Sequence, residues 1–408
     1  MNRSAVVVAA ATLAALCAVV SRWWPLRTPR EQEKKKTQKK TSTTTSTIEE
    51  ETHAAYGLVC GAIEGALAAS QLYIGDRLHL YATLWELCKP PGASCTVLDV
   101  AAKTRLNARW LREWLAQQAA MGVLVLEEGD GDGDADLRYR LTPAFANVLA
   151  NEASPSYIAS MLQCVPALVH RAKTMLPEAF ASGRGRPYDD PDISIALDRA
   201  HAKHVRNVVL PHVVPATPAL KLLEREGAKV ADVGCGGGSL VIALASAFPN
   251  ATVHGYEIAD AALALATENV RWAQVRTASI RDARVTPLGD ETYDVVTTFD
   301  VVHDAPDPVG LLRQVKRALK PDGVWLLADL VVHDTTRANI TSNPGAATLF
   351  AFSTCLCLAC SLQTPDGRGL GTCGFGTAVA NTMLAQAGFT RVRVILEEEG
   401  TRWFEVRH

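Results

Sequence analysis

The run Asp232-Val233-Gly234-Cys235-Gly236-Gly237-Gly238 reads D-x-G-x-G-x-G and stands between an apolar run (Lys229 to Val233) and a helical stretch (Ser239 to Phe248). A strand that turns into a helix on glycines brings the main chain close to a ligand, with helix N-terminal N–H groups facing it. A ligand built on a nucleoside would also need an acid for its ribose hydroxyls. Glu257 meets that need at the end of the next apolar strand, Thr252–Tyr256. It follows Gly238 by 19 residues, close to the roughly 20 of a βαβ nucleotide fold. A dinucleotide fingerprint would put its third glycine at Ser239; here it falls one residue early, at Gly238.

A second set of residues suits proton transfer. His303 follows the apolar segment Tyr293–Phe299, where open α/β sheets present side chains to a ligand crevice. An imidazole is a base near neutral pH, and Asp304 or Asp307 could orient it. A plainer reading makes His303-Asp304 a cap for the following helix, with Asp307 just ahead of Pro308. The two roles stay open here. His201 and His204 share a helical face, but no Cys or carboxylate at ligand spacing completes a metal site, so none is expected. Cys355, Cys357 and Cys360 read as small packing residues near the substrate cavity. The acidic run 129–134 lacks the closing Glu of an EF-hand loop and reads as a solvated hairpin tip.

The elements that must carry these groups alternate. Apolar segments recur at Ala273–Ala278, Tyr293–Phe299 and Val324–Leu330. Helical spacing fills Ala261–Asn269 and Pro308–Lys320, the latter with Val309, Leu312, Val315 and Leu319 on one face. This order predicts an α/β domain with a mostly parallel sheet covered on both faces. Arg391–Leu396 and Trp403–Arg407 add two closing strands. Upstream, Ala55–Ala69 and Arg77–Leu87 are helical, Thr96 and Asn107 are caps, and Trp110, Leu111, Trp114 and Leu115 form an apolar stripe. Val123–Glu127 and Tyr139–Leu141 predict a hairpin.

The glycine loop resembles motif I of the class I S-adenosylmethionine (SAM)-dependent methyltransferases. Further blocks carry the likeness: Gly75–Tyr81, Trp110–Ala120, Tyr139–Pro143, Val296–Asp304 and Gly369–Thr372. From Ala54 onward the chain is similar to bacterial-type SAM methyltransferases with an N-terminal winged helix, relatives of the plant small-molecule O-methyltransferases. The resemblance implies a Rossmann-like, seven-stranded methyltransferase domain over 224–408 and a winged-helix dimerisation domain over 54–150. A helical bridge, 151–223, would pack over the cofactor site, where Tyr188 could touch a ligand. It places SAM on Asp232, Gly234, Cys235, Gly236, Gly238, Glu257, Ile258, Asp282, Phe299 and Asp300, with His303 and Asp304 as catalytic residues. Two departures stand out. Arg276 takes the place where the family carries an adenine-contacting Asp, which leaves that contact to Asp282. Leu356 stands where a His is common. The implied activity is methyl transfer to a small molecule, most readily at oxygen. The rival reading is a silent SAM-binding scaffold or winged-helix regulator.

Residues 1–24 hold 16 consecutive apolar or small residues, Ala5 to Val20, followed by Trp23-Trp24. They read as a single-pass membrane anchor, with a cleaved signal or organellar presequence as the alternative. Residues 25–53 are a basic, then Ser/Thr-rich linker. Residues 1–40 carry nine Lys or Arg against two Glu, leaving the rest at −9 of a total −2. The basic flank after the apolar run predicts a cytosolic catalytic part. Ten cysteines without paired spacing agree with a reducing compartment. The acidic body and acidic hairpin tip argue against nucleic acid as a partner. A homodimer through the N-terminal domain is expected instead.

Overall fold

The computed structural model describes residues 47–90, 92–127, 136–187 and 189–408. The expected anchor, the Lys34–Lys40 stretch, the hairpin tip 129–134 and Tyr188 lie outside them. The described residues fall into two compact units that divide after Pro166.

In the first unit, Thr47 and Glu50 form a reciprocal capping box that starts α1 (Ile48–Arg77), inside the segment read as linker. The helix ends at Leu78 and His79, whose φ of 53° breaks the helical path before α2 (Leu80–Leu87). Thr96 and Asp99 cap α3 (Val97–Thr104), and Asn107 caps α4 (Ala108–Ala120), as their residue types predict. β1 (Leu124–Glu127) and β2 (Arg138–Leu141) pair antiparallel. Leu80, Leu84, Val100, Leu111, Leu115, Tyr139 and Leu141 close one core. The expected stripe on α4 needs one correction: Trp114 is buried, but Trp110 is 79% exposed. The Arg109–Glu113 ion pair occupies the same outer face. Along α1, Tyr56, Leu58, Val59, Ile63 and Leu67 are exposed. By length and composition alone this helix is apolar enough to cross a membrane.

The second unit holds a seven-stranded sheet ordered β5-β4-β3-β6-β7-β9-β8. Its strands are β3 (Lys229–Val233), β4 (Thr252–Glu257), β5 (Ala278–Asp282), β6 (Tyr293–Phe299), β7 (Leu319–Leu330), β8 (Arg391–Glu398) and β9 (Thr401–Arg407). The first five run parallel, and β9 is antiparallel to both β7 and β8, as the closing pair predicts. Successive strand residues alternate between two cores. Val230, Val295, Leu326 and Trp403 face one; Ala231, Val296, Leu327 and Phe404 face the other. Both faces are apolar, so helices cover both. Here α5 (Pro191–His204) and α6 (Ser239–Ala247) precede α7 (Asp260–Ala273), α8 (Pro308–Ala318) and α9 (Thr377–Ala387).

One expected strand is displaced. Ala273 ends α7, and the third parallel strand is Ala278–Asp282 rather than Ala273–Ala278. Arg276 therefore lies in the turn before the strand. Asp282 stands at its C-terminal end, in register with Glu257, so the strand end is acidic after all.

Candidate active site

The strand order reverses between β3 and β6, and ligand crevices of such sheets open at that point, beyond the strand C-terminal ends. Three glycines shape the loop there: Gly234, Gly236 and Gly238 have φ of 74°, 53° and 84°. Gly234 could take no side chain, because a Cβ would stand 2.4 Å from Val301 Cγ2, whereas the side of Gly236 faces open space. Beneath the loop, buried Asp232 accepts from the Thr297 hydroxyl at 2.6 Å. Burial, reinforced by Glu257, pushes the Asp232 carboxyl up to about 7. Gly234 and buried Cys235 both donate their N–H to Tyr256 O, at 2.7 and 3.0 Å, tying the bend to β4.

Glu257 lies against this loop. Its Oε2 accepts from Gly236 N at 2.9 Å, and Oε1 accepts from Ile258 N and Ala259 N at 2.7 and 3.1 Å. The Ile258 side chain is exposed. Asp282 is held by Arg284, whose Nε and Nη2 donate at 2.9 and 2.8 Å; these bonds keep its carboxyl below the usual range.

The bridge contributes residues that spacing alone did not reveal. From α5, Asp198 accepts from Ser239 N at 3.1 Å and from Asn269 Nδ2 at 3.2 Å, and the same Asn269 nitrogen donates to Gly237 O. Gly237 is pressed against Asp198, which leaves no room for a Cβ. Asp189 accepts from Ala261 N, near the start of α7. His201 meets Phe299 edge-on at 4.3 Å, and Phe299 stacks on Trp403 at 5.5 Å. Burial pushes His201 down to about 3, with His204 adding to the effect, so the imidazole facing Asp300 is neutral. Asp300 has a φ of 57° and a buried Oδ1 without a hydrogen-bond partner. Burial, then Asp329, raises its carboxyl to about 7. A neutral His201 and an unsatisfied Asp300 are an environment that a cationic ligand group would complete.

His303 sits in a short turn after β6, 2% exposed. Its Nδ1 is 2.8 Å from Oδ1 of buried Asp329, on β7, and its Nε2 is 3.3 Å from Asp304 Oδ1. Asp307, not His303 or Asp304, caps α8 by accepting from Gly310 N at 2.9 Å. Capping of α8 thus belongs to Asp307, and the imidazole lies between two carboxylates. Burial opposes charge on His303, but Asp329 and Asp304 outweigh it and hold its proton affinity well above the histidine norm. Half-buried Cys357 completes the group, with donor atoms of His303, Asp304 and Cys357 all within 4.8 Å of one another. Asp329 carried no motif of its own; only the pairing of β6 with β7 brings it to His303.

Residues 224–400 match a family model described as a methyltransferase domain. Over 110 residues the chain is 36% identical to the ubiquinone biosynthesis O-methyltransferase of Haemophilus ducreyi and 38% identical to that of Actinobacillus pleuropneumoniae. Each match covers 26% of this chain and 46% of the relative, so the chain spans about half the length of the curated relatives it matches. Among solved structures, human N-acetylserotonin methyltransferase in complex with SAM gives a TM-score of 0.61 at 17% identity, covering 86% of this chain and 97% of that one. A putative O-methyltransferase from Nostoc punctiforme gives 0.61 at 21%, covering 86% and 99%. Mitomycin 7-O-methyltransferase MmcR gives 0.56 at 20%, covering 88% and 99%. At these identities the structural likeness speaks for the fold. Family model and strand order agree: residues 224–400 match a methyltransferase domain and carry the sheet of that fold.

Proposed function

We propose that this chain moves the methyl group of SAM to an oxygen of a small molecule, with His303 taking the proton that the acceptor hydroxyl gives up. The observation that carries the reading is His303, held by Asp329 at 2.8 Å beside the strand end that also presents the glycine loop. The cofactor fit rests on three features of the crevice: the open side of Gly236, the Glu257 carboxylate beside it, and the unsatisfied buried oxygen of Asp300. SAM supplies an electrophilic methyl group. Glu257 and the open side of Gly236 would hold its nucleoside, and Asp198 ties the loop to α5. Asp329 accepts from Nδ1, which fixes the ring and leaves Nε2 toward the acceptor. Both carboxylates stabilise the imidazolium, so His303 acts as a base only through its neutral fraction, and turnover should rise with pH as that fraction grows.

The N-terminal unit supports self-association. Its helix α1 leaves Tyr56, Leu58, Val59, Ile63 and Leu67 uncovered, a face suited to a second copy of the chain. The helices followed by a hairpin fit a winged helix, and on α4 Arg109 is neutralised by Glu113 at 2.6 Å, which disfavours a phosphate-binding role. The apolar run and basic flank before residue 41 support an anchored protein with its catalytic domain in the cytosol. Asn339, in one of three glycosylation sequons, is fully buried and bonded to His333 and Thr335, which agrees with that placement.

Calorimetry with SAM and detection of S-adenosylhomocysteine across a panel of hydroxylated metabolites test the proposal. A catalyst gives both binding and product; a silent scaffold binds SAM without turnover. Absence of SAM binding by the full chain refutes both readings.

A further inference from the structure

We infer that His303, Asp304 and Cys357 form a site for one borderline-soft divalent cation, zinc above all, seated on the ring nitrogen that faces the acceptor. The three donors come from two separate stretches of chain, 54 residues apart, and each offers one ligand atom within 4.8 Å of the other two. Ligands at zinc bond lengths in a tetrahedral site lie about 3.3–3.8 Å from each other. His303 Nε2 and Asp304 Oδ1 already stand 3.3 Å apart. Cys357 closes a π-helical turn, Ser353–Cys357, and such turns re-aim side chains relative to an ordinary helix. This one brings the thiol to the imidazole.

Two further features favour a metal over chance proximity. Asp329 holds His303 through Nδ1 at 2.8 Å, the carboxylate–histidine arrangement that fixes ring orientation in metal centres. The nitrogen–sulfur–oxygen donor set selects zinc over magnesium or calcium, which take oxygen ligands. Three protein ligands leave a fourth position open to water or to an acceptor oxygen. The consequence for turnover rests on the proposed function: a bound ion occupies Nε2, the atom that would take the acceptor proton, so zinc silences the site reversibly. The binding itself does not rest on it.

The test uses the full chain, freed of metal by a chelator and titrated with cobalt(II). The expected result is a near-ultraviolet thiolate-to-cobalt band with visible bands of a tetrahedral ion, saturating at one equivalent. Cys357→Ala abolishes the near-ultraviolet band, and Cys355→Ala keeps it. His303→Ala weakens binding at least about tenfold. Circular dichroism checks each fold, and Cys357→Ser serves where the alanine variant does not fold. No thiolate band in the wild type, or a band that survives loss of Cys357, overturns the inference. Calorimetry with SAM separates the two claims: cobalt bound without SAM affinity sinks the enzyme reading and spares the metal site, and the reverse result does the opposite.

Discussion

Replacing Gly234 with alanine tests the loop most sharply, because the structure separates two costs. The first is backbone: at φ 74° an L-residue enters the left-handed region, costing about 1–2 kcal/mol. The second is steric. The new Cβ would stand 2.4 Å from Val301 Cγ2 and 3.1 Å from Cγ1, but 3.4 Å from Val301 Cβ, an ordinary contact. Overpacking of this kind costs about 1–3 kcal/mol, so Gly234→Ala should destabilise by about 2–5 kcal/mol in total. Val301→Ala removes both clashing methyls and leaves the backbone cost in place. In the Gly234→Ala background it should therefore recover stability, with a coupling energy of about 1–3 kcal/mol. Urea unfolding of the four proteins, followed by tryptophan fluorescence, measures this cycle. SAM titration of the same set should show the affinity lost in Gly234→Ala and partly restored in the double variant. Additive effects within about 0.5 kcal/mol would refute the close approach of loop and Val301.

Three other outcomes are expected. His303→Ala should lower turnover by about a hundredfold to ten-thousandfold while SAM affinity stays near wild type; Asp329→Asn should lower turnover in the same direction, and a variant with full turnover removes that residue from proton transfer. Asp232, whose folded carboxyl is raised to about 7 against about 3.9 unfolded, binds more protons in the native state between those values. Stability should accordingly fall as pH rises from about 4 to about 7, by up to about 4 kcal/mol, and Asp232→Asn should flatten that fall. Equal pH dependence of urea midpoints in wild type and variant would show that Asp232 is not the group responsible. On α1, Ile63→Glu with Leu67→Glu should shift the chain from dimer to monomer mass in light scattering, since both side chains are more than half exposed and apolar; an unchanged dimer places the interface elsewhere.

The glycine loop and its neighbouring acid were legible in one dimension because their parts are local. A βαβ unit puts its glycine turn and its next strand end about 20 residues apart, so Gly238 and Glu257 could be paired by counting. Caps at Thr96 and Asn107 depend on residue type and the next few N–H groups, and both form. Strand alternation fails as a guide where apolar residues run through a helix end. Ala273 to Ala278 looked like a strand, but Ala273 closes α7 and extended pairing begins only where β4 offers its edge. Trp110 illustrates the same limit from the other side: helical spacing marks a stripe but not its width, and the core stops at Leu111 and Trp114.

Residue order along the chain thus determined the α/β class, the bend at 234–238, the acid at 257 and the likeness to a methyltransferase domain, because these arise from local geometry and short-range periodicity. Tertiary structure decided who stands beside His303. Asp329 reaches it across paired strands, Cys357 through a π-turn, and Asp198 comes down on the glycine loop from a distant helix. Those neighbours set charge and proton affinity, and such contacts depend on the pairing of elements far apart in sequence, which no spacing rule encodes.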